Sequence, residues 1–298
     1  MKQLIKNVLH RLPYISSLRE RVKKQGAYPA GHYYSPIPSS EDILGYLRSR
    51  DPMHLELPDI KLNKESQFRR LQEYQRFYDE LPFPEKQSPD CRYYYDQSWF
   101  CYADAIFLYS FLRQTKPRKI VEVGSGFSSA VILDTLERFL PQQTEITFIE
   151  PYPDRLISIL KNHDKNKHLI LNTRVQEAPI EVLRSLGPGD LLFIDSSHVV
   201  KCGSDVSFLM FDIMPQLSSG VFVHFHDVFY PFEYPPGWLT AGRYWNEAYF
   251  LRAFLAYNSE WNIYFFNTYI GFVFKDFIKE NMPLCLKNSG GSLYIQRI

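Results

Sequence analysis

From Phe100 onward, short apolar runs alternate with longer stretches whose apolar positions recur at helical spacing. CYADAIFLYSFLRQT reads as a buried helix, and KPRKIVEVGSG as an apolar strand running into a glycine turn. The pattern predicts strands over 120–123, 145–150, 168–175, 190–195 and 220–226, separated by helices over 128–140, 153–162, 179–185 and 204–217. Strands that are almost wholly apolar and separated by helices specify a parallel sheet covered on both faces. The order then breaks down. A helix over 242–257 leads to WNIYFFN and YIGFVF, two runs too close together for another helical crossover and therefore expected to pair antiparallel. GGSLYIQRI adds a last strand or packs as a tail. The expected fold is α/β: a Rossmann-like, mostly parallel, seven-stranded sheet with helices on both faces.

Residues 26–99 lack this alternation. They are rich in proline and aromatics, as in YPAGHYYSPIPSSEDI and FYDELPFPEKQSPDCRYYYDQSWF, with one helix expected over 64–79. The chain thus reads as an N-terminal helical and lid segment, 1–99, covering a sheet domain, 100–298.

Charge and cysteine usage narrow the function. A formal charge of +1 provides no global basic field for nucleic acid. Cys91, Cys101, Cys202 and Cys285 form no C-x-x-C pair, which points away from a zinc ribbon or a disulfide framework and toward a reducing, cytoplasmic setting. The first apolar stretch is broken by Lys6, His10 and Arg11, unlike a signal peptide, and no run approaches the ~20 residues that span a bilayer. Residues 1–25 do carry Lys2, Lys6, Arg11, Arg19, Arg21, Lys23 and Lys24 against Glu20 alone. A solvated helix face is the ordinary reading of that excess, and weak contact with an anionic membrane surface is the second.

Polar residues stand at the ends of successive predicted strands. In IVEVGSGFSS, Gly124 and Gly126 let the backbone turn sharply and approach a ligand, while Glu122 is available to a cationic amino group. Glu150 ends the second strand, where a ribose diol lies in such a crevice. Gln176 and Glu177 follow the third strand, within reach of an adenine edge, and Asp195 ends the fourth.

Over 100–274 this arrangement resembles the class I S-adenosylmethionine-dependent methyltransferases. The resemblance implies that Glu122, Gly124, Ser125 and Gly126, with Phe127 and Ser128 beside them, hold the methionine moiety. It further implies that Glu150 binds the ribose, Gln176 reads the adenine, and Asp195 lies near the reacting centre. From Gly31 onward the chain is similar to a bacterial group of small-molecule methyltransferases, through GHYYSP, RYYYDQSWF, IDSSHVVKCGSDV, HFHDVFYPFEYP, GRYWNEAYFLRAFL and GGSLYIQR. Phe127 departs from the commonest superfamily turn, where a third glycine often stands.

On the reacting side, His198 follows Asp195, and His224 and His226 share one face of the fifth strand with Asp227 beyond it. His224, deeper in the strand, reads as a core histidine. His226 and His198 are the candidate bases, since imidazole titrates near neutral pH, and Asp227 is their partner. Asp195 and Asp227 are also placed to share a hard divalent cation, magnesium in some related O-methyltransferases. Tyr94, Tyr95, Trp99, Tyr234 and Arg243 are the expected acceptor contacts, with Glu233, Trp245, Glu247, His32 and Tyr33 nearby. The favoured activity is O-methylation of a small molecule, such as a sugar or secondary metabolite. A nicotinamide-dependent oxidoreductase and a non-catalytic cofactor-binding protein are the alternatives.

Overall fold

The strand expected at 120–123 is β1 (Lys119–Val123), followed by β2 (Glu145–Ile149), β3 (Leu169–Leu171), β4 (Leu191–Ile194) and β5 (Phe222–Phe225). These five are parallel neighbours in the order β3-β2-β1-β4-β5. The chain winds outward from β1 to β3, then returns to the other side of β1. That reversal opens a crevice at the carboxyl ends of β1 and β4, where open α/β sheets bind ligands. Register sharpens the point, because Val123 pairs with Ile149 and Ile194, and Ile194 with Phe225. Gly124, Glu150, Asp195 and His226, each the first residue beyond its strand, are therefore set side by side.

The computed structural model describes residues 26–49, 56–140 and 144–298, with Pro13, Ile15 and Ser17 besides. The basic segment expected to meet anionic lipid lies, those three residues apart, outside the described residues. The chain divides into two units, one of Met1–Pro52 with Pro235–Tyr244 and one of Met53–Tyr234 with Trp245–Ile298. In the smaller, helix Ser40–Ser49 packs against helix Pro236–Thr240. Ser39 and Asp42 cap the first of these reciprocally, the Asp42 amide donating to Ser39 Oγ at 3.0 Å and the Ser39 amide to Asp42 Oδ2 at 2.9 Å. The larger unit holds the whole sheet and also residues 56–99, in which helix Lys64–Gln75 buries Gln67, Leu71 and Tyr74.

Arg92 ties the aromatic segment 78–100 to the sheet unit. Buried, it pairs with Asp134 at 2.7 Å, Asp164 at 2.8 Å and Glu137 at 2.6 Å. Removing one partner from such a cluster typically costs 3–5 kcal/mol, because the remaining charges stay buried and uncompensated. Helix Tyr102–Thr115 is buried almost all round, as its composition requires, and packs on helix Phe127–Phe139.

The antiparallel finish is present but built from different residues. WNIYFFN forms β6 (Trp261–Phe266), whereas YIGFVF lies in helix Asn267–Val273, and its expected strand is taken by β7 (Leu293–Arg297) from the terminal GGSLYIQRI. β7 inserts between β5 and β6, antiparallel to both, giving the order β3-β2-β1-β4-β5-β7-β6. The β-branched and aromatic run at 269–274 has strand propensity, but the slot beside β5 goes to β7, whose Leu293, Tyr294 and Ile295 are all buried. The helix expected over 204–217 narrows through Asp205–Phe208, a wide turn Leu209–Ile213 and a tight turn Met214–Gln216, where Pro215 withholds a backbone donor. All four cysteines are free, and among the described residues no helix is long and apolar enough to cross a membrane.

Candidate active site

Backbone geometry carries the β1–β2 end of the row. Gly124 has φ +81°, and a Cβ there would run into the carbonyl oxygen of Asp195, so no other residue lets β1 turn this close to β4. The Ser125 amide donates to Glu150 Oε2 at 3.0 Å and the Tyr152 amide to Oε1 at 2.8 Å, which aims the Glu150 carboxylate along the turn. Glu122 behaves differently from expectation. It is fully buried under the turn, where the hydroxyls of Ser128 and Ser129 each donate to one of its oxygens at 2.6 Å. Burial outweighs those donors and pushes its carboxyl up to about 8. Glu122 and Ser128 thus brace the turn from below instead of lining the crevice.

A cleft of about 600 Å³ lies above this turn, lined by Gly124, Glu150, Tyr152, Arg174, Gln176 and Asp195 among others. The sheet therefore brings together the strand-end residues expected from sequence. Gln176 Nε2 donates to the Gly203 carbonyl at 3.0 Å, while its Oε1 and the Ser125 hydroxyl are buried with no partner in the protein. The Gln176 oxygen is thus free to meet a ligand at the cleft wall, and the Ser125 hydroxyl stands in the turn next to Gly124. Phe127 meets Tyr94 edge to face at 5.6 Å, and Arg155, whose side chain passes over Gly126, stacks on the exposed Trp99 ring at 3.9 Å.

Charge dominates the β4–β5 end. His198, at φ +58°, points Nδ1 at Glu247 (3.0 Å) and Nε2 at Asp195 (3.4 Å) and Asp227 (3.5 Å). The His226 ring lies among Asp195 (3.4 Å), Asp104 (3.5 Å) and Asp227 (3.8 Å). Burial disfavours charge on both rings, but hydrogen bonds to Asp195 and Glu247 raise His198 to about 10, and the Asp227 and Asp195 charges lift His226 well above the usual histidine range. Burial also opposes ionisation of Asp195, yet the His226 charge and both histidine contacts hold its carboxyl far below the ordinary range. With no cation between them, the four carboxyl groups around the two rings favour the protonated imidazoles over the neutral ones expected near pH 7. His224 is the core histidine expected, stacked on Phe193 at 3.8 Å, and burial holds it neutral.

Among described residues, Asp195, His198 and Asp227 each offer one ligand atom, all within 4.8 Å of one another. Two carboxylates and an imidazole suit a divalent cation. The Glu247 contact at Nδ1 leaves Nε2 of His198 facing both aspartates, the usual arrangement around a metal-binding imidazole.

The acceptor residues fare less uniformly. Tyr94 and Trp99 stand beside the glycine turn. Tyr95 does not, being buried in a stack on Tyr102 at 4.9 Å with Phe83 across its edge. Tyr234 is buried too, its hydroxyl accepting from the Ala248 amide at 3.1 Å. Arg243 belongs to the smaller unit and covers the Trp238 ring at 4.7 Å. Asp104 had not been expected in the site; its signal was a lone carboxylate in an otherwise apolar helix.

Residues 121–228 match the family model described as a methyltransferase domain. Over 134 residues the chain is 35% identical to an uncharacterized protein of Archaeoglobus fulgidus, a match covering 42% of this chain and 59% of that one, so the chain spans about three-fifths of that relative's length. Among solved structures it is similar to an SAH-bound methyltransferase of Podospora anserina, with 17% identity, 88% and 98% of the two chains covered and a TM-score of 0.39. It is also similar to an O-methyltransferase of Bacillus cereus in complex with SAH, with 16% identity, 66% and 81% covered and a TM-score of 0.37. The stretch from β1 to just past β5, folded on a sheet whose winding reverses at the glycine turn, is thus similar to a methyltransferase domain.

Proposed function

We propose that the protein is an S-adenosylmethionine-dependent methyltransferase that methylates a hydroxyl of a small molecule. The observation that carries this reading is the row of strand-end groups beside a cleft whose Gln176 Oε1 lacks a partner in the protein. Glu150 would accept from the ribose diol, Gln176 would meet the adenine edge, and the turn at Gly124–Gly126 would admit the methionine moiety. When bound, S-adenosylmethionine supplies an electrophilic methyl on a sulfonium whose departure as a neutral thioether needs no acid.

The residues of this chain then have to orient the acceptor and manage one proton. Orientation and dehydration can contribute about 7 to 11 kcal/mol. Asp195, His198 and Asp227 fit a divalent cation, which would lower the pKa of an acceptor hydroxyl and offset the surplus of carboxylates. His226, beside both aspartates, is the group placed to hold or receive the acceptor proton. Tyr94 and Trp99 are the residues proposed to face the acceptor.

Calorimetry with S-adenosylhomocysteine and with NAD, together with a search for extract metabolites that gain a labelled methyl, tests the reading. S-adenosylhomocysteine should bind and NAD should not, and transfer should collapse with chelator and return with magnesium. Binding of NAD alone would replace the methyltransferase reading with the oxidoreductase one. Tight S-adenosylhomocysteine binding without turnover on any extract would favour a cofactor-binding protein, and turnover indifferent to chelator would remove the cation.

A further inference from the structure

We propose that Asp104 is a positioning residue that orients His226, so that Nδ1 of the ring, and not Nε2, faces the reacting centre. Asp104 lies in the first turn of helix Tyr102–Thr115, buried, and its two oxygens have separate duties. Oδ1 accepts from the Asn267 amide nitrogen at 3.0 Å, the Gly291 backbone amide at 2.9 Å and the Ser292 hydroxyl at 2.5 Å. Oδ2 faces His226 Nε2 at 3.5 Å.

Two chain segments distant in sequence, at Asn267 and at Gly291–Ser292, thus converge on one oxygen of a buried carboxylate, and all three donors are neutral. Gly290, at φ +69°, completes the fit, since a Cβ there would run into the carboxylate. A group needed only for packing would be better served by an uncharged side chain, because an ionised carboxylate is costly to bury. Its charge has a use at Oδ2, where the facing partner is the His226 ring. With Nε2–H committed to Asp104, Nδ1 is left toward Asp195, which lines the cleft, at 3.4 Å and toward Asp227 at 3.8 Å. Fixing one ring nitrogen fixes what the other can do.

The Asp104→Asn variant reverses this polarity while keeping the shape. Its amide oxygen should stay with the three donors, so its N–H₂ points at Nε2 and cannot accept from it. Nitrogen NMR of histidine-labelled protein, with His226 assigned by its loss in His226→Ala, should show a protonated Nε2 in the unaltered protein and an unprotonated one in Asp104→Asn. S-adenosylhomocysteine affinity and the melting temperature should hardly change. Turnover, measured as labelled methyl incorporated into extract metabolites, should fall by ~10² to 10⁴ at an unchanged KM for S-adenosylmethionine. Adding Asp104→Asn to His226→Ala should cost nothing further, since a residue that acts through another is silent once that other is gone.

The kinetic arm rests on the methyl-transfer reading, whereas the spectroscopic arm stands without it. A failed turnover assay with the expected nitrogen spectra would therefore count against that reading and leave Asp104 in its role. An unprotonated Nε2 in the unaltered protein overturns the proposal whether or not the variant folds. So does a double variant whose loss is the product of the two single losses.

Discussion

The two ends of the cleft are made in opposite ways. At the β1–β2 end a backbone turn and one outward carboxylate are held by contacts within a single βαβ stretch, Ser125 to Glu150 and Glu122 to Ser128 and Ser129. At the β4–β5 end, Asp195, His198, His226 and Asp227 are completed by Asp104 and Glu247 from far along the chain. One end works by shape and neutral donors, the other by a cluster of charge with more carboxylates than cations. A site that must hold a cofactor in one pose gains from rigid backbone, while a site that must handle a proton gains from groups whose charge can change. Gly124 joins the two, because its missing Cβ makes room for the Asp195 carbonyl.

That joint gives the largest expected effect. Gly124→Ala should damage both ends together, costing on the order of 4–5 kcal/mol of stability if β1 and β4 must part and the alanine must hold a positive φ. Thermal melting with S-adenosylhomocysteine calorimetry checks it, and a variant that melts normally and binds normally would show the two ends to be independent.

A smaller change should touch the cofactor end alone. Glu150→Ala removes charged hydrogen bonds worth about 1.5 to 3 kcal/mol, so S-adenosylhomocysteine binding should weaken by ~10 to 150-fold while the β4–β5 cluster, read by the His226 nitrogen spectrum, stays as it was. Unchanged affinity would take the ribose role from Glu150.

The mildest test concerns Glu122. Its pKa is raised by burial to about 8, so the folded chain keeps a proton that the unfolded chain releases near the ordinary carboxylate value of about 4.3. Stability from this group is full below that value and is lost as pH rises toward 8, with a slope of at most about 1.4 kcal/mol per pH unit. Glu122→Gln should remove this slope, so the variant gains on the unaltered protein as pH rises from about 5 to 8 and the gap levels off only above 8. Parallel denaturation profiles would mean that Glu122 is ionised throughout and that its serine donors, not its proton, balance its burial.

How far sequence reached follows from the same contrast. The β1 turn, Glu150, Gln176 and Asp195 were legible because each is announced by its own strand end, and a parallel sheet in register must set those ends in a row. Tyr95 and Tyr234 were misplaced because an aromatic residue near a strand end looks alike whether it faces a ligand or, as here, a stack on Tyr102 or the Ala248 amide. YIGFVF had the composition of a strand and became a helix because β7, arriving last in the chain, filled the place beside β5.

What the sequence by itself determined is the alternation of buried strands and helices, and with it the sheet, the crevice and the glycine that shapes it. Those depend on periodicity and on the backbone freedom of single residues, both written locally. Only the tertiary structure decided the chemistry of the β4–β5 end. Whether a histidine there is a neutral base or a charged partner depends on how many carboxylates stand within a few ångströms, and Asp104 and Glu247 reach it from 122 residues before His226 and 49 residues after His198. Electrostatic interaction is set by distance through space and by burial, and neither is a function of position along the chain.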